Sequence, residues 1–219
     1  MLKFAWDKLI KPVYVCFVLL LGRVKWEWLR EKITGKRFGL TNDDHAHIRD
    51  ILEQNYCIIL TRRNSHLSSY LVSIAGLILR FKYSHWAHAL INVEDEAESL
   101  GDFVFMEATG IGTHYSSFMQ VFDCDSVCLL KPRNVSLDEW NNAFLKMRQY
   151  LGRPYDTLFD LLTDNEINCV ELVWLALTHL GKYEERFPNF EKLRKRYKKI
   201  TPQMLYDCGD FEVVFEKRR

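Results

Sequence analysis

The chain reads as an α+β domain preceded by an apolar N-terminal helix. Three observations carry this. Short, strand-like apolar runs recur at residues 57–61, 89–93, 103–108 and 127–130, with a last one at 211–215. Longer helix-like runs stand between and after them, at 68–79, 137–150 and 169–180. Residues 13–21 form an unbroken apolar stretch flanked by Lys8, Lys11, Arg23 and Lys25. We divide the chain into residues 1–40, an apolar or amphipathic helical segment with a linker, and residues 41–219, a single domain.

Taken in order, the apolar run at 13–21 is too short for an ordinary membrane span, which needs about 18 or more apolar residues. Phe4, Trp6, Trp26 and Trp28 bracket it, as aromatic side chains do at a membrane interface. A basic start before an apolar core also fits a secretory signal, but Leu21-Gly22-Arg23-Val24-Lys25 is a poor cleavage site. The favoured reading is a helix lying in a membrane surface through residues 1–30; a hydrophobic helix capping the domain is the alternative. An intracellular, membrane-associated location follows.

Residues 34–47 are polar, contain Gly35 and Gly39, and read as a linker, with a short helix at 48–52. The first strand is 57–61. Ser65 or Ser68 caps the apolar helix 68–79. The strand at 89–93 runs into an acidic turn at 94–98, and the strands at 103–108 and 127–130 follow, Pro132 ending the latter. Ser136 and Glu139 form a capping box for the helix from Leu137 to Tyr150. Residues 184–199 are charged and read as a solvated face.

The formal net charge is +1, which gives no support to nucleic-acid binding through a basic surface. Six cysteines are irregularly spaced, without a Cys-x-x-Cys pair, and read as reduced core thiols. Cys124 and Cys128 would share one face if their segment is a strand, and His114 is near in sequence. The fourth ligand and the usual spacing of a zinc site are missing. No phosphate-cradling Gly-x-x-x-x-Gly-Lys, no His-Glu-x-x-His and no Gly-x-Ser-x-Gly is present, and no cofactor is implied.

The most informative stretch is Asn168-Cys169-Val170-Glu171-Leu172-Val173-Trp174-Leu175. A polar, turn-rich segment gives way there to an apolar helix ending at Gly181. A cysteine in the first turn sits at the positive end of the helix dipole, which favours the nucleophilic thiolate. It could equally be a packed core thiol. A nucleophile needs a base. His45 and His47 lie in the polar linker and read as solvated. His179 is ten residues along the same helix, about 15 Å away. His88 opens the 89–93 strand, and a base at the mouth of a strand can face a thiol at the start of a helix. Glu107, an acid in an apolar run, needs a partner if buried and could orient His88.

These pieces together resemble the circularly permuted NlpC-like branch of the papain fold, and within it the YiiX-like group, with lecithin:retinol acyltransferase as a more distant relative. The resemblance is carried by Ile58-Ile59-Leu60-Thr61-Arg62, Trp86-Ala87-His88-Ala89-Leu90-Ile91 with Asp95, Phe105-Met106-Glu107-Ala108 with Gly110 and Gly112, Leu151-Gly152-Arg153-Pro154-Tyr155-Asp156, and Asn168-Cys169-Val170-Glu171-Leu172-Val173. It covers about residues 54–180. It implies a papain-like fold, a small antiparallel sheet or barrel packed on helices, with Cys169 as nucleophile, His88 as general base, Glu107 orienting His88 and Tyr155 helping to hold an oxyanion. Glu171 matches a position with a structural role. His85 rivals His88, because the acyltransferase relatives carry a His-Trp pair. Asn55, Tyr56 and Cys57 stand where a Gly-Asp turn is common, and Val170 replaces a common serine.

The expected function is a cysteine hydrolase, amidase, peptidase or thioesterase-like, working on an acylated, peptidic or lipid-like substrate. An acyltransferase on a lipid-like substrate and a non-catalytic membrane-associated scaffold are the alternatives.

Overall fold

The computed structural model describes residues 39–63, 84–93, 104–156, 165–197 and 200–218. The apolar run at 13–21, the 68–79 helix and the acidic turn at 94–98 lie outside the described residues. Among them, no helix is long and apolar enough to cross a membrane.

The element order is α1 (Asn42–Leu52), β1 (Ile58–Arg62), β2 (His88–Val93), β3 (Val104–Thr109), β4 (Gly112–Ser117), α2 (Phe118–Phe122), β5 (Ser126–Pro132), α3 (Leu137–Met147), α4 (Cys169–His179), α5 (Tyr183–Arg186), α6 (Pro188–Tyr197), α7 (Pro202–Asp207) and β6 (Phe211–Lys217). The strands form one six-stranded sheet in the order β4-β3-β2-β1-β5-β6, every neighbour antiparallel. The sheet is open, with β4 and β6 at its edges, so the barrel alternative does not form among the described strands.

Strand side chains alternate between two cores, as the two-residue period requires. Ile58, Leu60, Ala89, Ile91, Met106, Cys128 and Leu130 join α3, α4 and α7 in the larger core. Cys57, Ile59, Leu90, Phe105, Val127 and Leu129 join α1 and α2 in the smaller one. Helix α4 is the most deeply set: Leu172, Val173 and Leu177 are fully buried, each removal from water contributing on the order of 1.5–3 kcal/mol. The Trp140 indole N–H donates to the Asn92 carbonyl at 3.1 Å and fastens α3 to β2.

Four sequence expectations need correction. The polar linker is helical from Asn42: Thr41 Oγ1 accepts the Asp44 N–H at 3.2 Å, and the Asp44 carboxylate accepts the Thr41 N–H at 2.9 Å, a capping box that lets a polar segment wind. Residues 112–117, for which the sequence pattern gave no strand, form strand β4. The helix read as running to Tyr150 ends its α-form at Met147 and closes with a 3-10 turn. Cys124 and Cys128 do not share a face, because Cys124 precedes β5; the two thiols belong to different cores.

Candidate active site

Cys169 is the first residue of α4. The Asn168 side-chain oxygen caps this helix, accepting the Val170 N–H at 3.1 Å and the Glu171 N–H at 2.9 Å. Glu171 reaches back to the Asn168 N–H at 3.3 Å, completing a capping box. Its role is thus the structural one expected. Asn168 is fully buried, and its amide N–H groups face Asp156 as well as Glu171, at 3.4 Å each. With Val170 and Glu171 drawn to the cap, the remaining first-turn N–H, that of Cys169 itself, meets the Tyr155 hydroxyl.

Tyr155 is held there by backbone pairing. The Asp156 N–H donates to the Ile167 carbonyl at 3.2 Å, and the Ile167 N–H donates to the Pro154 carbonyl at 2.9 Å. This ribbon is tied in turn to β4: Thr113 donates to the Arg153 carbonyl at 2.9 Å and accepts from Gly152 at 2.8 Å. Gly112 makes the close approach feasible. Its φ is +98°, and a Cβ there would lie 2.6 Å from the Arg153 oxygen. The Tyr155 hydroxyl lies 4.0 Å from the Cys169 sulfur.

His88 is the first residue of β2. Its Nε2 lies 2.7 Å from Glu107 Oε2 on β3, and its ring also hydrogen-bonds the Cys169 side chain. With Nε2 taken by Glu107, the ring nitrogen left for sulfur is Nδ1. The adjoining Ala89 N–H donates to the same sulfur. Cys169 is only 2 % exposed, whereas the His88 side chain keeps 25 % of its surface, so solvent reaches the pair from the imidazole side.

Electrostatics follow from this arrangement. Burial disfavours a charged Cys169 sulfur, but the His88 hydrogen bond and charge, the Ala89 N–H and the Tyr155 hydroxyl outweigh it, and the thiol lies below its ordinary 9.0. Burial likewise opposes a charged His88, yet Cys169 and Glu107 lift its pKa to about 10. Glu107 is held far below the usual carboxylate range despite its burial, by His114, His88 and Ser116. Burial and the Cys169 charge raise the Tyr155 phenol well above 10.0, which keeps it a donor. Each member of the pair thus favours the charged form of the other. Elsewhere burial pushes Cys57, Cys124 and Cys208 up to about 12, with Cys128 raised as well.

The structure thus brings Cys169, His88, Glu107 and Tyr155 together and sets His85 apart. The His85 ring stands edge-on to Trp86 at 4.7 Å. Its carbonyl accepts from Arg62 at 2.8 Å, and its N–H donates to Gln203 Oε1 at 2.8 Å. Burial, then the charges of Arg62 and Arg218, lower its pKa to about 4. His45 packs against Phe118 and lies 3.3 Å from the Phe122 carbonyl through Nε2; His47 is exposed beside Phe215. His179 stands at the far end of α4, near Tyr150.

Two site residues were not read from the sequence. His114 lies directly across from Glu107 on β4 and Ser116 two residues further along the same face. Ser116 Oγ donates to Glu107 Oε1, and His114 Nε2 lies 3.5 Å from that oxygen. The polar alternation after the Gly110–Gly112 turn was the available signal.

No protein-family model and no curated protein matches the chain. Among solved structures, the chain is similar to the crystal structure of the metalloprotein YiiX from Escherichia coli O157:H7, with a TM-score of 0.54 and 19% identity over 75% of this chain and 98% of that one. The likeness shows a shared fold, α+β with an antiparallel sheet against helices. Among the described residues no group of three or more His, Cys, Asp or Glu is arranged to hold a metal ion. His88, Glu107 and His114 are instead knit by hydrogen bonds, and the Gly112 carbonyl lies 2.9 Å from His114 Nδ1.

Proposed function

We propose that this protein is a cysteine hydrolase of papain-like, permuted NlpC type, with Cys169 as nucleophile, His88 as general acid and base, and Glu107 as the residue that orients His88. The observation that carries the reading is the contrast among the thiols. Cys169 alone of the five described cysteines is held below its ordinary pKa, and it is the one that meets an imidazole paired to a carboxylate.

The Cys169 thiolate attacks the carbonyl carbon of an amide, ester or thioester. Negative charge passes to the carbonyl oxygen, which the Cys169 N–H and the Tyr155 hydroxyl receive. As the tetrahedral adduct collapses, the His88 imidazolium gives its proton to the leaving nitrogen, oxygen or sulfur, and a thioester remains on Cys169. Neutral His88 then takes a proton from water. The hydroxide adds to the thioester, the acid leaves, and the thiolate–imidazolium pair is restored. Glu107 stays ionised throughout and, once His88 is neutral, keeps its remaining proton on Nε2, so that Nδ1 is free to take the proton from water.

An alcohol or amine entering in place of water would make the same site an acyltransferase. The apolar sequences at 13–21 and 68–79 favour an acylated or lipid-like substrate and a membrane-surface location. The test is turnover of 4-nitrophenyl acetate by the intact chain and by Cys169→Ala, with circular dichroism to confirm the fold. Loss of turnover in a folded variant supports the enzyme. Undiminished turnover removes Cys169 as nucleophile. No catalysed turnover in either protein favours the scaffold reading.

A further inference from the structure

We propose that His114 and Ser116 are positioning residues that tether the Glu107 carboxylate from strand β4, leaving its second oxygen aimed at His88; this rests on the hydrolase reading above. The geometry divides the carboxylate cleanly. Oε2 faces His88 Nε2 at 2.7 Å. Oε1 takes the Ser116 hydroxyl and lies 3.5 Å from His114 Nε2. One oxygen is therefore a fixed end and the other a working end.

The sheet register brings these side chains to one face. Glu107 pairs across β3–β4 with His114, and Phe105 pairs with Ser116, so positions 107, 114 and 116 stand on one face. Counting the β2–β3 register back from Ile91↔Met106 sets His88 opposite Thr109, a diagonal neighbour of Glu107 on that same face. A glutamate has three side-chain torsions, and only hydrogen bonds at its far end fix where its oxygens point. Those donors come from the edge strand. His114 is itself anchored, with Nδ1 2.9 Å from the Gly112 carbonyl, in the hairpin turn that also supports the Tyr155 ribbon. One short strand thereby steadies both the orienting carboxylate and the segment carrying the oxyanion donor.

The titratable groups facing His114 are Glu107 from β3 and His88 from β2. Glu107 favours a charged His114, and His88 opposes it. The imidazolium of His88 needs a fixed Glu107, and the low thiol pKa of Cys169 needs that imidazolium. Loosening the carboxylate must therefore be felt at the sulfur, two hydrogen bonds away.

The experiment is the rate of Cys169 alkylation by iodoacetamide against pH, read by peptide mapping on the intact chain. The proteins are wild type, His114→Phe, His114→Gln and Ser116→Ala. His114→Phe keeps an aromatic ring and removes the donor; we expect the acid limb of its profile to move up by about one pH unit, making labelling roughly 10-fold slower below the limb. His114→Gln, which restores a donor near the Nε2 position, is expected to return most of the shift. Ser116→Ala removes the other donor to the same oxygen and is expected to move the limb in the same direction, so a failure of His114→Phe to fold leaves the question answerable. Profiles for His114→Phe and Ser116→Ala that superimpose on wild type overturn the tether. Equal shifts in the Phe and Gln variants also overturn it, because they would report packing alone. If wild-type Cys169 labels no faster than Cys57 or Cys208, the hydrolase reading itself falls, a result distinct from an unmoved limb on a fast-reacting thiol.

Discussion

Replacing His88 by Asn keeps a polar side chain at the mouth of β2 and removes the imidazole. Without it, burial pushes the Cys169 thiol up towards Cys57, Cys124 and Cys208, which it lifts to about 12, with only the Ala89 N–H and the Tyr155 hydroxyl left to oppose it. In the wild type the Cys169 pKa lies below 9.0. Losing the imidazole's hydrogen bond and charge should raise the thiol by about 2 pH units, or about a 10²-fold loss of thiolate at neutral pH. A more basic thiolate is intrinsically more nucleophilic, and a Brønsted slope near 0.5 returns about half of that loss on a logarithmic scale. The net expectation is alkylation of Cys169 slowed by about 10-fold. The assay is limiting iodoacetamide at pH 7, followed by peptide mapping, with Cys208 in the same molecule as the internal standard. Thermal unfolding run alongside checks that the fold survives. Labelling of Cys169 in His88→Asn at the wild-type rate would refute the reasoning, because the imidazole would then contribute nothing to the thiolate.

Other consequences are open to measurement. Glu107→Gln removes the charge that holds His88 as imidazolium and should lower ester turnover on the order of 10²-fold, shifting the acid limb upward; unchanged turnover would count against the orienting role. Tyr155→Phe removes one oxyanion donor, and kcat should fall by about 10²-fold with little change in KM. Asn168→Ala strips the α4 cap and should cost about 1 kcal/mol, seen as a lower Tm. Asp44 is partly buried, which raises its pKa, but the Thr41 N–H and Lys217 outweigh this and hold it at about 2. Its ordinary value is 3.8, so its contribution to stability is present above about pH 4 and lost as pH falls towards 2. Asp44→Asn should therefore lower the Tm at pH 7 and leave it nearly unchanged at pH 2.

Much of the site was legible because its chemistry lies at element boundaries that sequence marks well. Asn168 is a strong N-cap, and the apolar run after Cys169 could only be a buried helix. His88 stands at the start of a strand whose Ala89, Leu90, Ile91 and Val93 are all buried. What stayed hidden was polar. Strand β4 carries His114 and Ser116 on the face where a core strand would carry apolar side chains, since they serve Glu107 rather than pack. Its apolar signal is too weak to announce a strand. Helix α1 was obscured for a related reason: only Ile48 and Leu52 are buried, so a single narrow stripe marks it. Helix α7 is short, and only Thr201-Pro202 before Met204 and Leu205 marks its start. The choice of His88 over His85 rested on the strand alignment; the structure places His88 Nε2 2.7 Å from Glu107 Oε2 and the His85 ring against Trp86.

The most direct measurement is to trap the acyl-enzyme. The intact chain is mixed with 4-nitrophenyl acetate, quenched in acid within the first turnovers, digested and mapped by mass. We expect one acetyl group on the peptide carrying Cys169, much less in His88→Asn and none there in Cys169→Ala. Steady release of nitrophenol with the Cys169 peptide unmodified at every quench time would contradict a covalent intermediate on that sulfur.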